Sequence, residues 1–471
     1  MYGSKLIDVL KTLSPAAWKE LELFLASPYF NRNNDLLRFA ALLRKESPDF
    51  KEERIDRYLL FSKLFPDEAV EDKVIRQYMS ALLKLVERFL GLQLYEREHL
   101  LVESHILKAC EDRNLQKHYR HHRRQLEKKT EGHPYRDEHY YYYRFLQADL
   151  ETHNVHRKRV RSYDHNLQET VDYLDDFYLI TKLRLTCELI NRQNILSATY
   201  DIRLVDELLN YLQGYDFEKI PAMEIYYRIL KLLTAKDTHI HFQRLKFLMQ
   251  TEFGLFPEHS QKEIFSYAQN HCIQQIKQGN TGYHEELFGI YEEGLRTGLL
   301  IEEGGLSPWK FKNIVSNGLG LGKFEWVENF MDEFSSLIRE EFRATALAYN
   351  RAHLYYHRKD YSSALKTLNT VEFSDIFYAL GTRKIMLMIY FEQGEVESLL
   401  SLISSFKLFL RRNKLISEGN RQAYLNFTNL LHTLYRHQEG KGEAREELER
   451  QIRETRPLVE EAWLLKMLDC G

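Results

Sequence analysis

The 471-residue chain lacks most of the features that would tie it to one compartment or one reaction. Its longest apolar runs, such as IMLMIYF (Ile385 to Phe391), fall far short of a membrane span. The opening MYGSKLIDVLKTLSP has no apolar core of signal-peptide length, so a cytoplasmic protein is expected. Cys110, Cys187, Cys272 and Cys470 stand far apart with no C-x-x-C pair, which argues against a zinc knuckle or redox dithiol and for free thiols. Nine Pro and 21 Gly are too few for the many turns of a β-rich protein. Nor is there an excess of one charge. The 66 basic residues face 69 acidic ones, so nucleic-acid binding would have to rest on a local patch.

What the chain does have is helix, in quantity. The first 98 residues read as a unit of their own. In LSPAAWKELELFL, Ser14 can cap a helix and Pro15 sits at its first position, where the missing N–H costs nothing. The SP pairs at Ser27–Pro28 and Ser47–Pro48 break the pattern, Asn33 or Asn34 can cap the next helix, and a long helix from about Glu71 to Leu94 closes the unit. The box FLASPYFN resembles part of an uncharacterised bacterial family of long helical proteins, a likeness that implies no activity. A DNA-binding helix-turn-helix over Pro15–Arg44 is disfavoured. Its connection from Ser27 to Asn33 is too long, and residues 1–98 balance 16 Lys/Arg against 16 Asp/Glu.

From about Leu100 apolar residues recur at three and four, with breaks at TEGHPY, NRQNILSATYD, TAKDTH, KQGNTGY, SNGLGLGKFEW, RKDY, EQGEVE and HQEGKGE. Paired helices with such breaks are the signature of a helical-repeat array. Aligned on their turns, GLGKFEWV, RKDYSSA and EQGEVESL place Val327, Ala364 and Leu399 in register, at steps of 37 and 35 residues. Around them Phe324, Tyr361 and Val396 correspond, as do Met331, Leu368 and Ile403, and, upstream, Val315, Ala352 and Leu387. This resembles the tetratricopeptide repeat, with its period of 34. The likeness is strongest over Thr345–Asp375, where Ala352 and Ala364 match the family's small pair and Tyr355 and Tyr361 its tyrosines. It implies that RKDY is the turn inside one hairpin, and that the first helix of each hairpin lines a concave side. The helix GKGEAREELERQIRETRP, with pairs such as Glu446–Arg450 and Glu449–Arg453, suits a cap on the end of the array.

Three groups of residues invite chemistry. SNGLGLGKF fails the phosphate-loop pattern because Asn317 stands where Gly is needed and Phe324 follows Lys323. His118, His121 and His122 have helical ligand spacing, but Arg120, Arg123 and Arg124 surround them and repel a metal, and Glu96-x-x-His99 has no second copy. The same region is better read as an electrostatic patch: Arg113 to Lys129 holds seven basic residues and one acidic, and Arg157, Lys158 and Arg159 follow after the run Tyr140–Tyr143. Its bland counterpart is a solvated face with half-buried tyrosines.

The residues therefore lead to an all-α chain: a helical unit at 1–98, degenerate hairpins at 99–300, and tetratricopeptide-like hairpins with a capping helix at 301–471. The expected function is a cytoplasmic scaffold binding a protein segment in a concave groove. The alternative is a protein that binds RNA or another polyanion through residues 113–161. No catalytic, cofactor or metal set is expected. Tyr349, His353 and Tyr356 share one helix face and suit a half-wet wall, or else a contact with another part of the chain. Through the resemblance, Lys312 and Lys384 would line neighbouring hairpins and meet a carboxylate, and Asn350 and Lys384 fit the family's carboxylate-binding pattern.

Overall fold

The computed structural model describes residues 1–66, 71–157, 165–195, 199–217, 219–302, 304–369, 376–442 and 444–470. Among the described residues there are 23 α-helices and no strand, only an isolated bridge between Glu302 and Gly305. The all-α class read from the sequence is the class that forms. Contacts gather the chain into two compact units, Met1–Tyr226 and Tyr227–Gly471.

The first unit begins with α1 (Lys5–Leu10), α2 (Pro15–Ala26), α3 (Asn34–Arg44), α4 (Arg57–Leu64) and α5 (Asp72–Arg97). It continues with α6 (His99–Asp112), α7 (Gln116–Glu131), α8 (Glu138–Arg157), α9 (His165–Ile195) and α10 (Val205–Leu212), with α11 (Pro221–Thr234) at the division. The second holds α12 (His239–Thr251), α13 (Glu258–Lys277), α14 (Tyr283–Arg296), α15 (Pro308–Gly320), α16 (Phe324–Phe334) and α17 (Glu340–His357). After these come α18 (Tyr361–Asn369), α19 (Ile376–Gln393), α20 (Val396–Arg412), α21 (Glu418–Gln438), α22 (Arg445–Glu454) and α23 (Glu461–Cys470).

The N-terminal helices start where the caps predict. Ser14 Oγ accepts the Ala17 N–H at 3.2 Å, and Asn33 Oδ1 accepts that of Asp35 at 2.9 Å. One core cluster runs from Leu6 to Phe89, and a separate one joins Leu100, Leu107, Leu126 and Tyr143.

The hairpins share one turn. The N–H of Lys323, Asp360 and Glu395 each reaches back five residues, to the carbonyls of Gly318, Tyr355 and Tyr390, all at 2.9 Å. The residue before each, Gly322, Lys359 and Gly394, has positive φ. This is the Schellman ending, which satisfies orphan carbonyls and reverses the chain at once. The same five-residue bond closes α6, α13 and α21, onto Leu115, Asn280 and Lys441. In register with these turns, Val315, Val327, Ala352, Ala364, Leu387 and Leu399 are all buried. The hairpin α15–α16 has no alanine pair, yet it closes tightly. A Cβ on Gly318 would lie 2.6 Å from Val327 Cγ2, so the small residue stands one turn further along than the alignment places it.

One expectation needs correction. The Glu/Arg-rich helix α22 is not the last, because α23 follows it and packs on α21 and α22. Arg453 does pair with Glu449, at 2.8 Å, but Arg450 turns to Glu447 rather than Glu446.

Candidate functional site

Three first helices, α15, α17 and α19, pack successively, α15 on α17 and α17 on α19. Their shared register brings most of the sequence-expected groove residues into one cluster. Lys312 Nζ stands 5.1 Å from the centre of the Tyr349 ring and 5.6 Å from that of Tyr378. Tyr349 meets Tyr378 edge-on, with centroids 5.1 Å apart. Gly381 admits the ring, since a Cβ there would lie 2.5 Å from Tyr349 Oη. His353 sits between Tyr349 and His357, at 6.0 and 5.0 Å.

This face is not an open wall. Lys384 pairs with a carboxylate, as its position implied, but the carboxylate is Glu460 of the same chain. Glu460 takes a left-handed backbone, φ 56°, just before α23. Glu392 then joins α19 to three other helices, accepting from Tyr356 Oη at 2.5 Å, from Tyr361 Oη, and from Trp463 Nε1 at 2.8 Å. The half-wet wall is therefore corrected for Tyr349 and Tyr356, which take the alternative of a contact within the chain, and Asn350 is buried rather than open to a partner's carboxylate. Tyr349 is 1% exposed, Tyr356 is buried with its hydroxyl committed to Glu392, and Asn350 is buried with its amide N–H donated to the Ala346 carbonyl at 2.8 Å. Tyr349 is packed by Lys312, Tyr378 and Gly381 of the neighbouring hairpins, and the C-terminal segment reaches the cluster through Glu460 on Lys384 and Trp463 on Glu392.

The electrostatics follow from that packing. Burial pushes the Tyr349 hydroxyl up to about 12. Burial, with the neighbouring His357, Lys384 and Lys312 charges, holds His353 well below the usual histidine range. Burial alone would lower Lys384, but the Glu460 carboxylate together with Tyr349 and Tyr424 outweighs it and raises the ammonium. Burial would likewise raise Glu392, and its three donors hold it below the ordinary carboxylate range.

The same helices border a second feature that stays open. A cleft of about 900 Å³ lies among the turn before α15, the 3-10 turn at 335–337 with the start of α17, and Tyr378 of α19. Arg343 builds one wall by donating to the carbonyls of Ser335, Ser336 and Ile338, and Leu306 N–H ties the two turns together through the Leu337 carbonyl at 2.8 Å. Tyr378 Oη donates to the Pro308 carbonyl at 2.9 Å and its ring stacks on Trp309. Trp309 and Phe342 are 40% and 41% exposed, and Arg339 and Lys262 bring positive charge to the lining. Glu302, paired with Lys310, lines it as well, and Lys262 is taken by Glu258 at 2.6 Å, so the cleft offers flat aromatic surface beside Arg339 and Arg343 on one side and a carboxylate on the other. Sequence reading missed it because its residues come from two inter-hairpin turns with no shared motif.

The basic patch is partly quenched from a distance. Arg120, Arg123 and Arg124 are exposed on α7, but Arg123 Nε meets Glu151 at 2.7 Å. Glu103 of α6 takes both His122, at 3.0 Å, and Lys129, at 2.6 Å. Lys158 and Arg159 lie outside the described residues, as does the side chain of Arg157. Tyr141 and Tyr143 are buried, with Tyr143 Oη donating to Glu98 at 2.8 Å. Among the described residues, Asp137, Glu138 and His139 have metal-like proximity. Asp137, however, caps α8 through the Tyr140 N–H at 3.1 Å, and the positive end of a helix opposes a cation there.

Compared with protein-family models, with curated proteins and with solved structures, the chain matches none.

Proposed function

We propose that the protein is an interaction scaffold of tetratricopeptide-like helical hairpins, and that its partner is an extended protein segment carrying an acidic residue beside an aromatic or aliphatic one. The observation that carries this reading is the open cleft with Trp309 and Phe342 half exposed beside Arg339. Large aromatics in a concave site with flanking charge are what peptide recognition draws on. The common register and turn of α15–α16, α17–α18 and α19–α20 support the repeat class. The polyanion alternative is weakened because Glu103 and Glu151 already take His122, Lys129 and Arg123.

The test is selection of random peptides displayed on phage against the full chain, with affinities measured for the wild type and for Trp309→Ala/Phe342→Ala. Enriched acidic–aromatic sequences that bind the double variant at least about tenfold more weakly would support the reading. Equal binding to both proteins, or no enrichment, would sink it.

A further inference from the structure

Three corners of the second unit repeat one pattern: LFPEHSQ (255–261), LIREEFR (337–343) and LISEGNR (415–421). Each opens a helix, α13, α17 or α21. In each, the second residue is buried, Phe256, Ile338 or Ile416, and the last donates to carbonyls of its own turn. Gln261 reaches those of Phe253 and Phe256, Arg343 those of Ser335, Ser336 and Ile338, and Arg421 those of Leu410, Asn413 and Ile416. One buried anchor and one bracing side chain thus hold each turn, and carbonyls left open near the helix ends are satisfied. The leucines differ. Leu255 and Leu337 are half-buried, but Leu415 is 82% exposed, more than any other described leucine. The four residues before them differ as well. TEFG and EFSS each carry an acid, Glu252 and Glu333, whereas RRNK carries Arg411, Arg412 and Lys414.

The third corner is basic beyond the turn itself. Residues 398–417 hold no Asp or Glu. On α20, Leu399, Ile403, Phe406 and Leu410 are buried, and the far side of its last two turns presents Lys407, Leu408, Arg411 and Arg412, with Leu408 46% exposed. No described residue is hydrogen-bonded or ion-paired to these three cations or to Lys414. Glu418, the next acid along the chain, is taken by Arg421. Burial and the nearby Arg411 lower Lys407, and burial with Lys407 and Arg436 close by lowers His432, so the positive field extends onto α21. Cations at a helix C-terminus ordinarily answer its dipole. That accounts for Arg411 and Arg412. It leaves Lys407, Lys414 and a leucine held out in water, its N–H fixed on Asn413 Oδ1 at 2.9 Å.

From this geometry we infer that the Leu415 corner docks on an anionic membrane surface, with Leu415 entering between the lipid headgroups and Lys407, Arg411, Arg412 and Lys414 lying at their level. An apolar side chain ringed by Lys and Arg gains from both parts of such a surface, the acyl boundary and the headgroup charge. The contact is peripheral; no described helix is long and apolar enough to cross a membrane. Other occupants fit less well. A protein segment is gripped in a concave site, and here the leucine projects. Single-stranded nucleic acid stacks its bases on exposed aromatics, but on the last turns of α20 Phe406 is buried and Phe409 lies under Arg383, 4.1 Å from the ring centre. The corner shares no lining residue with the Trp309 cleft, so the two sites stand or fall separately.

The experiment is sedimentation of the full chain with vesicles of two compositions, phosphatidylcholine alone and equimolar phosphatidylcholine and phosphatidylglycerol. The chain should pellet with the anionic vesicles and stay in solution with the neutral ones. Leu415→Ser should weaken that binding at least about fivefold, and Leu415→Phe should keep it. Arg411→Gln/Arg412→Gln/Lys414→Gln should weaken it at least about tenfold. The helical far-UV spectrum and melting temperature should be kept in these variants, because the side chains are exposed. Arg120→Gln/Arg124→Gln on α7 should leave vesicle binding as it is. Failure to pellet with anionic vesicles would overturn the proposal, as would equal pelleting of the wild type with either the Leu415→Ser or the triple variant. A loss on α7 as large as that of the triple variant would also overturn it, since the site would then lie there. So would retention of a single-stranded oligonucleotide instead of vesicles, lost in the triple variant, because the occupant would then be nucleic acid.

Discussion

The Lys384 cluster and the Trp309 cleft are built from the same parts. Both draw on the first helices α15, α17 and α19, both set tyrosine against a cation, and Tyr378 takes part in each. They differ in one respect. The cluster is closed by Glu460 and Trp463, and the cleft is not closed by any described residue. An aromatic–cationic face on a helical hairpin is therefore not in itself a binding wall. What packs over it, here the neighbouring hairpins together with Glu460 and Trp463, decides whether it becomes core or surface.

The contrast breaks most sharply at Lys384. Lys384→Met leaves Glu460 without its cation; the two side chains are 15% and 31% exposed, so the loss lies between the ~1 kcal/mol of an exposed pair and the roughly 3–5 kcal/mol of a fully buried one. A drop of that size in chemical denaturation is the expected outcome. Lys384→Met with Glu460→Gln should recover much of it, because both charges are then gone. If the single substitution leaves stability unchanged, the cluster is not closed in solution. A smaller loss, about 1–3 kcal/mol, is expected for Gly381→Ala, whose methyl must displace the buried Tyr349 ring. Urea midpoints for this variant and for Gly289→Ala, where an added Cβ meets nothing, give the comparison its control.

Acid should separate the regions too. The folded chain holds His353 and His357 below their ordinary 6.5, so the unfolded chain binds protons more readily. Stability is then fully present above pH 6.5 and falls as the pH drops below it, by at most about 1.4 kcal/mol per unit for each histidine. Melting curves from pH 7.5 downward should show this fall, and His353→Gln should flatten it. The smallest effect is expected in the cleft. Trp309→Ala should cost about 1 kcal/mol, since the ring stacks on Tyr378 but is 40% exposed. A large loss there would show that the cleft, like the cluster, is core.

Much of the fold was legible because it rests on local signals. Ser14, Pro15 and Asn33 act within a turn of where they stand, and the breaks at RKDY and EQGEVE fall between α17 and α18 and between α19 and α20. Ala352 and Ala364 are buried where the hairpin pattern puts them. The site was legible only in part. Register alone placed Lys312, Tyr349, His353 and Lys384 together. It could not supply Glu460, which lies 76 residues from Lys384, nor Glu103 and Glu151, which quench the α7 patch. Lys359 hid the Schellman turn for a related reason, since glycine is the usual residue at that left-handed position.

The triple acceptor Glu392 gives the molecule an optical consequence. Trp463 is held with its indole N–H on that carboxylate and packs against Phe391 and Phe427, while Trp309 stands half in water at the cleft. The two indoles sit in surroundings of opposite polarity, one for each region. With Trp18 and Trp326 replaced by Phe, Trp463 should emit toward the blue and shift red when the C-terminal segment lifts away. Trp309 should emit toward the red and shift blue when the cleft fills. The protein thus carries two native fluorophores whose colours move in opposite directions, so that one emission spectrum distinguishes opening of the closed face from occupation of the open one.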